Sequence, residues 1–355
     1  MSLKEVEGLP GVPWARELTG TFEQLVVESE LLAGNPLGDS PRRPLYVYLP
    51  PGYGDSAGRY PVIYVIQGYT GQVDMWLGRS PFEPNMVERV DDLFSGVGTR
   101  RAIVVFVDAW TSYGGSQFIN SVSTGPYMDY LCDEVVPFID ARYATAPDRD
   151  RRGLTGKSSG GYGAMVVPML RPDVFGAFAS HAGDALFEVC CLPEFRDVVR
   201  ILRDHFDGSY DVFLERFRTR VEQAERFDFE RWGHPMEIYA CAACYSPDTA
   251  NPGKALLPFE LDTGRLVPEV WEQWLAWDPV RMAPERLDAL KSMRLIWLDA
   301  GNRDEPFLDL GAQAFSNELT KGGVEHSFEL FDGGHMGIAY RYPVALKALA
   351  DTLAT

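Results

Sequence analysis

Apolar residues in this chain fall into short unbroken runs, separated by stretches where they recur every three or four positions. Pro61–Ile66, Ala102–Val107 and Phe175–Ser180 are continuous runs, which predicts strands buried on both faces. Arg43–Leu49 alternates and stops at Pro50-Pro51-Gly52, with a second extended segment, Phe22–Ser29, before it. Arg294–Leu298 and His326–Phe331 read as later strands, and a short one leads into residues 153–158. Helical spacing marks 84–97 (Met86, Val87, Val90, Leu93, Phe94), 127–143 (Leu131, Val135, Phe138, Ile139), 306–320 and the C-terminal stretch. Another helix follows residue 158 to about Leu170, and Pro168 is expected to shorten or kink it. Strands alternating with helices predict an α/β fold, a mostly parallel sheet covered on both faces. Ligands bind such sheets at the carboxyl ends of the strands.

From about 185 to 290 the rhythm changes. Helical stretches near 194–204, 210–225 and 267–277 dominate, and no clean buried strand appears. The expectation is one domain over 1–355 carrying an inserted helical cap at 185–290. Composition narrows the function classes. Of 355 residues, 46% are hydrophobic and 24% charged, enough for a substantial core. A formal net charge of −18 argues against nucleic acid and anionic membrane surfaces as partners. Residues 1–11 carry Glu5 and Glu7 and no apolar h-region, so a secretory signal is not expected and a cytoplasmic location is. The five cysteines (Cys132, Cys190, Cys191, Cys241, Cys244) are then expected as reduced thiols.

The candidate chemistry collects just past strand ends. Gly156-Lys157-Ser158-Ser159-Gly160 is a G-x-S-x-G sequence between a predicted strand and a predicted helix. Such a turn holds a serine hydroxyl out at its apex, with small neighbours where strand and helix nearly touch. A serine hydroxyl needs a base, usually a histidine oriented by a carboxylate. His335 lies in the loop Asp332-Gly333-Gly334-His335-Met336-Gly337 after the last strand, whereas His326 opens a strand and suits packing. Asp304, beyond Gly301, is the first choice of acid, with N-capping of the next helix as its other reading. Glu305, Asp299 and Asp184 stay open as alternatives. Oxyanion donors are expected from the backbone N–H of Ser159 and, in the loop Gln67-Gly68-Tyr69-Thr70-Gly71, of Tyr69. Gln67, Lys157, Trp76 and Trp110 are candidate substrate-binding residues. Trp271, Trp274 and Trp277 fall at helical spacing and read as packing of the insertion onto the body.

Taken together these residues carry a resemblance. Tyr48-Leu-Pro-Pro-Gly-Tyr53, Gly68, Gly156-Lys-Ser158-Ser-Gly160-Gly161-Tyr162-Gly163-Ala164, Pro172-Asp-Val-Phe-Gly176, Gly301-x-x-Asp304 and Gly334-His335 resemble the putative-esterase family of α/β-hydrolases. That family includes S-formylglutathione hydrolases, feruloyl esterases, enterochelin esterases and antigen 85 acyltransferases, and the likeness covers about 40–185 and 290–355. It implies an α/β-hydrolase fold and a serine hydrolase of carboxylic esters or thioesters. It also implies Ser158, Asp304 and His335 as the triad, a small-molecule substrate, and no metal or organic cofactor. Two departures stand out: Gln67-Gly68 where the family usually has His-Gly, and Ser159 where an apolar residue usually follows the nucleophile. The insertion matches no substrate-defining motif.

Rival readings are weaker. Gly156-Lys157-Ser158 ends like a phosphate-binding loop, but Arg151 stands where the first glycine is required. Cys241-x-x-Cys244 lacks the second pair of a metal site. Acyl transfer to an acceptor other than water, and a catalytically inactive binding module on the same fold, stay as alternatives.

Overall fold

A computed structural model describes residues 17–55, 58–220, 222–223 and 226–355. The segment 1–11, from which the lack of a leader was read, lies outside them. Ten strands form: β1 (Thr21–Glu28), β2 (Arg42–Leu49), β3 (Val62–Ile66), β4 (Ile103–Val107), β5 (Asn120–Ser121), β6 (Gly125–Pro126), β7 (Arg152–Ser158), β8 (Ala177–Gly183), β9 (Leu295–Gly301) and β10 (Ser327–Phe331). Eight of them make one sheet in the order β1-β2-β4-β3-β7-β8-β9-β10, and β5 and β6 form a small separate hairpin. The first two strands join antiparallel, and the six from β4 to β10 run parallel.

Why the central strands are apolar throughout is visible in where their side chains go. Val62, Tyr64 and Ile66 of β3 enter one core layer, and Ile63 and Val65 enter the opposite one. Helices Met86–Ser95 and Arg341–Leu353 cover the second face, the former opened by a full capping box between Asn85 and Glu88. The other face carries Ser159–Leu170, Tyr127–Arg142 and the helices between β8 and β9. The predicted helix near 127–143 forms, but its middle turn, Tyr130–Val135, is a π-helical turn. Pro137, just beyond it, has no N–H to give, and widening the coil absorbs the missing bond. Pro168 lies inside Ser159–Leu170, which runs two residues past it.

Between β8 and β9 the chain is helical, as Glu194–His205, Tyr210–Thr219, His234–Tyr245 and Pro268–Leu275 with shorter pieces. The expected helix at 210–225 stops at Thr219, and residues 221, 224 and 225 lie outside the described ones. Helix His234–Tyr245 was not anticipated. An aromatic chain ties this insertion to the body. Tyr162 of the helix after β7 meets Tyr245, which meets Trp274, which meets Phe195. Trp271 and Trp274 are buried in that packing, as their spacing predicted. Among the described residues no helix is long and apolar enough to cross a membrane.

Candidate active site

The sheet order reverses around β3: its successor β4 lies on one side and β7 on the other. At that crevice, the usual place for a ligand in an open parallel sheet, the chain turns from β7 into the next helix at Ser158. Ser158 has φ +58° and ψ −128°, a conformation a side-chain-bearing residue adopts only under constraint. The constraint is close packing. A Cβ on Gly160 would lie 2.6 Å from Ile66 O and 2.7 Å from Gln67 O, both backbone atoms. Gly160→Ala is therefore expected to lower stability by about 1–3 kcal/mol in urea unfolding, since the backbone must move. Activity should fall with it, because the displaced strand end carries the Gln67–Gly71 loop.

Three side chains meet in a line. His335 Nε2 lies 3.2 Å from Ser158 Oγ, and His335 Nδ1 lies 2.8 Å from Asp304 Oδ2. An ionised carboxylate only accepts, so Nδ1 carries the proton and Nε2 is left to accept from the hydroxyl. The Asp304 carboxyl is fully buried and the His335 ring is 12% exposed. Asp304 serves both readings of it at once, since its Oδ1 accepts the Leu308 N–H (3.0 Å) that opens the next helix. The other acids have separate employment. Glu305 Oε2 accepts the His335 backbone N–H at 2.7 Å, which holds that exposed carboxyl below its usual value. Asp299 is buried inside β9, bonded to His181 Nδ1 (2.6 Å), Trp297 Nε1 (3.1 Å) and Arg341 Nε (3.1 Å). Asp184 accepts from Ser159 Oγ and Gln117 Nε2, each at 3.2 Å. His326 packs, with Nε2 2.7 Å from Ser316 Oγ.

The loop after β3 approaches Ser158 closely. A Cβ on Gly68 would lie 3.3 Å from Ser158 Cβ and 3.0 Å from Lys157 O, so nothing larger fits without movement. Tyr69 is anchored by its hydroxyl to Tyr113 O (3.0 Å), and Thr70 N–H donates to Gly114 O (2.9 Å). The N–H groups of Tyr69 and Ser159 have no hydrogen-bond partner among the described residues. The stretch 111–125, which supplies the Tyr113 and Gly114 acceptors, is largely buried.

One expected substrate contact is corrected. Trp76 is 5% exposed and packs against Phe106 and Tyr342 under the sheet, because the turn after β3 folds it into the second core layer. Gln67 lines the cavity beside Ser159, and its amide turns beneath the loop toward Asp108 and the Val107 carbonyl, where buried polar groups need partners. Trp110 is partly exposed beyond β4, and it is not among the residues lining the cavity beside Ser159. Lys157 is half-buried between the turn and the His335 loop, its Nζ 3.5 Å from Met336 Sδ, and burial lowers its pKa.

A family model described as "Putative esterase" matches residues 40–342. An endo-1,4-beta-xylanase/feruloyl esterase of Xylanibacter ruminicola is 28% identical over 141 residues, 39% of this chain and 19% of that protein. The match spans less than two thirds of the length of this and two other curated relatives, 32% and 61% for the latter. A ferulic acid esterase structure superposes with a TM-score of 0.57 at 18% identity, covering 94% of this chain and 98% of the other. An S-formylglutathione hydrolase from Agrobacterium tumefaciens gives 0.58 at 15% identity, covering 96% and 98%. These likenesses bear out the α/β-hydrolase fold expected from the sequence.

Proposed function

The chain belongs to the family described as "Putative esterase", and from that premise we propose that it is a serine hydrolase cleaving a carboxylic ester or thioester of a small molecule. The observation carrying this reading is the line from Asp304 Oδ2 through His335 to Ser158 Oγ, at 2.8 and 3.2 Å. In the proposed reaction His335 Nε2 takes the Ser158 proton as the hydroxyl oxygen attacks the substrate carbonyl. The oxyanion that forms is held by the N–H groups of Tyr69 and Ser159, helped by the positive end of the helix Ser159–Leu170. The imidazolium, oriented by Asp304, then protonates the departing alcohol or thiol. Water, activated by the same histidine, releases the acid from the acyl-Ser158 ester.

No metal or organic cofactor is assigned a role in these steps. The helical segment 185–290 is read as a cap that shapes the substrate's side of the cleft. All five cysteines are free thiols, which suits the cytoplasm proposed for the chain. A fluorophosphonate probe followed by peptide mass spectrometry tests the central claim. The adduct is expected on Ser158. Folded protein left unmodified there would turn the reading toward a binding module.

A further inference from the structure

Beneath the loop that carries the Tyr69 N–H lies a buried polar cluster that the acyl-transfer steps do not touch. Ile66 and Val107 are paired at the ends of β3 and β4, so Gln67 and Asp108 leave the sheet side by side. Gln67, Asp108 and Arg43 are 3%, 4% and 4% exposed. Asp108 Oδ2 is ion-paired with Arg43 Nη2 from β2, which also donates to the Trp110 carbonyl at 2.5 Å. Its Oδ1 accepts the Val73 N–H at 3.3 Å. Val73 opens the short helical turn Val73–Leu77, whose preceding residue Gln72 supplies no side-chain cap, so this N–H must find its acceptor elsewhere. Val73 and Trp76 hold the turn in the second core layer.

Gln67 completes the cluster. With its amide oriented so that both ends find a partner, the nitrogen donates to the Val107 carbonyl and the oxygen accepts the Val73 N–H at 3.0 Å. The second contact joins the two ends of the loop, since the chain enters it at Gln67 and leaves it at Val73. Between them the Gly71 N–H donates to Gly68 O at 3.0 Å, and Thr70 takes a φ of +63°. A Cβ on Gly71 would lie 2.5 Å from Gln67 Cβ, so the Gln67 side chain fills the neck.

A loop with an open neck tilts about its ends, and a shift of about an ångström at Tyr69 takes its N–H off the oxyanion. We propose that Gln67 is a positioning residue: its amide, backed by the Arg43–Asp108 pair, locks the neck of the 67–73 loop and so aims the Tyr69 N–H at the reacting carbonyl oxygen. This rests on the serine-hydrolase reading of Ser158. Asp108 shares the Val73 N–H with the amide, and Arg43 compensates the carboxylate that burial would otherwise penalise. The departure from histidine at position 67 then has a physical reason. A carboxamide and a neutral imidazole each bring one donor and one acceptor to the neck.

Gln67→Met tests it, because the variant keeps the length of the side chain and removes both polar contacts. Its kcat toward a p-nitrophenyl ester is expected to fall by about ten- to a hundredfold, with KM within about twofold of wild type. KM holds because acylation and deacylation pass through the same oxyanion and slow together. The inhibition constant of an alkyl trifluoromethyl ketone, whose hemiketal oxyanion needs the same N–H, should rise by the factor by which kcat falls. Partial unfolding lowers kcat through the active fraction and leaves that constant alone, so the ketone separates positioning from stability. Gln67→His is expected to recover most of both losses. A fall in kcat with an unchanged inhibition constant, a Gln67→Met enzyme equal to wild type, or Gln67→His no better than Gln67→Met overturns the proposal. Ser158→Ala, assayed alongside, separates the two readings. Its inactivity beside a normal Gln67→Met sinks the positioning role alone, and its full activity sinks the hydrolase reading beneath it.

Discussion

Ser158→Ala and His335→Ala are each expected to reduce kcat by about 10⁵–10⁶, and the double variant is expected to fall no further. The reason is that the two side chains act as one device. The 3.2 Å contact between His335 Nε2 and Ser158 Oγ is the path by which the hydroxyl becomes nucleophilic. Without the hydroxyl there is no acyl-enzyme for the histidine to serve, and without the histidine the hydroxyl stays a weak nucleophile. What survives in each variant is the contribution of the N–H groups of Tyr69 and Ser159 and of substrate binding, about 10³–10⁴ over water. Steady-state hydrolysis of a p-nitrophenyl ester, with circular dichroism to certify folding, reads the effect. A multiplicative loss in the double variant would mean that serine and histidine work independently, and a Ser158→Ala enzyme of near-normal activity would end the mechanism.

Much of this was legible because it depends on local pattern. Strands β3 and β4 are unbroken apolar runs since both of their faces meet a core, and such runs leave little choice of element. The spacing of Gly156 and Gly160 about Ser158 is dictated by backbone atoms within 3 Å of any added Cβ. Helix His234–Tyr245 escaped notice because it is apolar nearly all round, with Met236, Ile238, Tyr239, Ala242 and Tyr245 buried, so no amphipathic period marks it. Trp76 was misjudged from its position after a strand, since sequence separation does not say which core layer the turn folds into. Asp184 is bonded to Gln117, 67 residues away in the chain, and to Ser159, and no local spacing encodes that. Ser159 was the one hint. It departs from the apolar residue usual after the nucleophile, and its hydroxyl is what binds Asp184.

Asp304 offers the sharper test, because its two oxygens do different work. Oδ2 orients the His335 ring at 2.8 Å, and Oδ1 accepts the Leu308 N–H at 3.0 Å. Asp304→Asn keeps an acceptor for Leu308 but presents an amide to the imidazole, which favours the wrong tautomer. Its kcat is expected to fall by about 10⁴ with stability nearly unchanged. Asp304→Ala removes both contacts. It should lose at least as much activity and about 1 kcal/mol of stability besides, the usual cost of an unpartnered first-turn N–H. Urea unfolding of the pair, set beside their turnover numbers, separates the roles. Equal destabilisation in both variants would argue that the cap contributes nothing. Normal turnover in Asp304→Asn would move the orienting role to another acid, with Glu305 the nearest candidate through its hold on the His335 backbone.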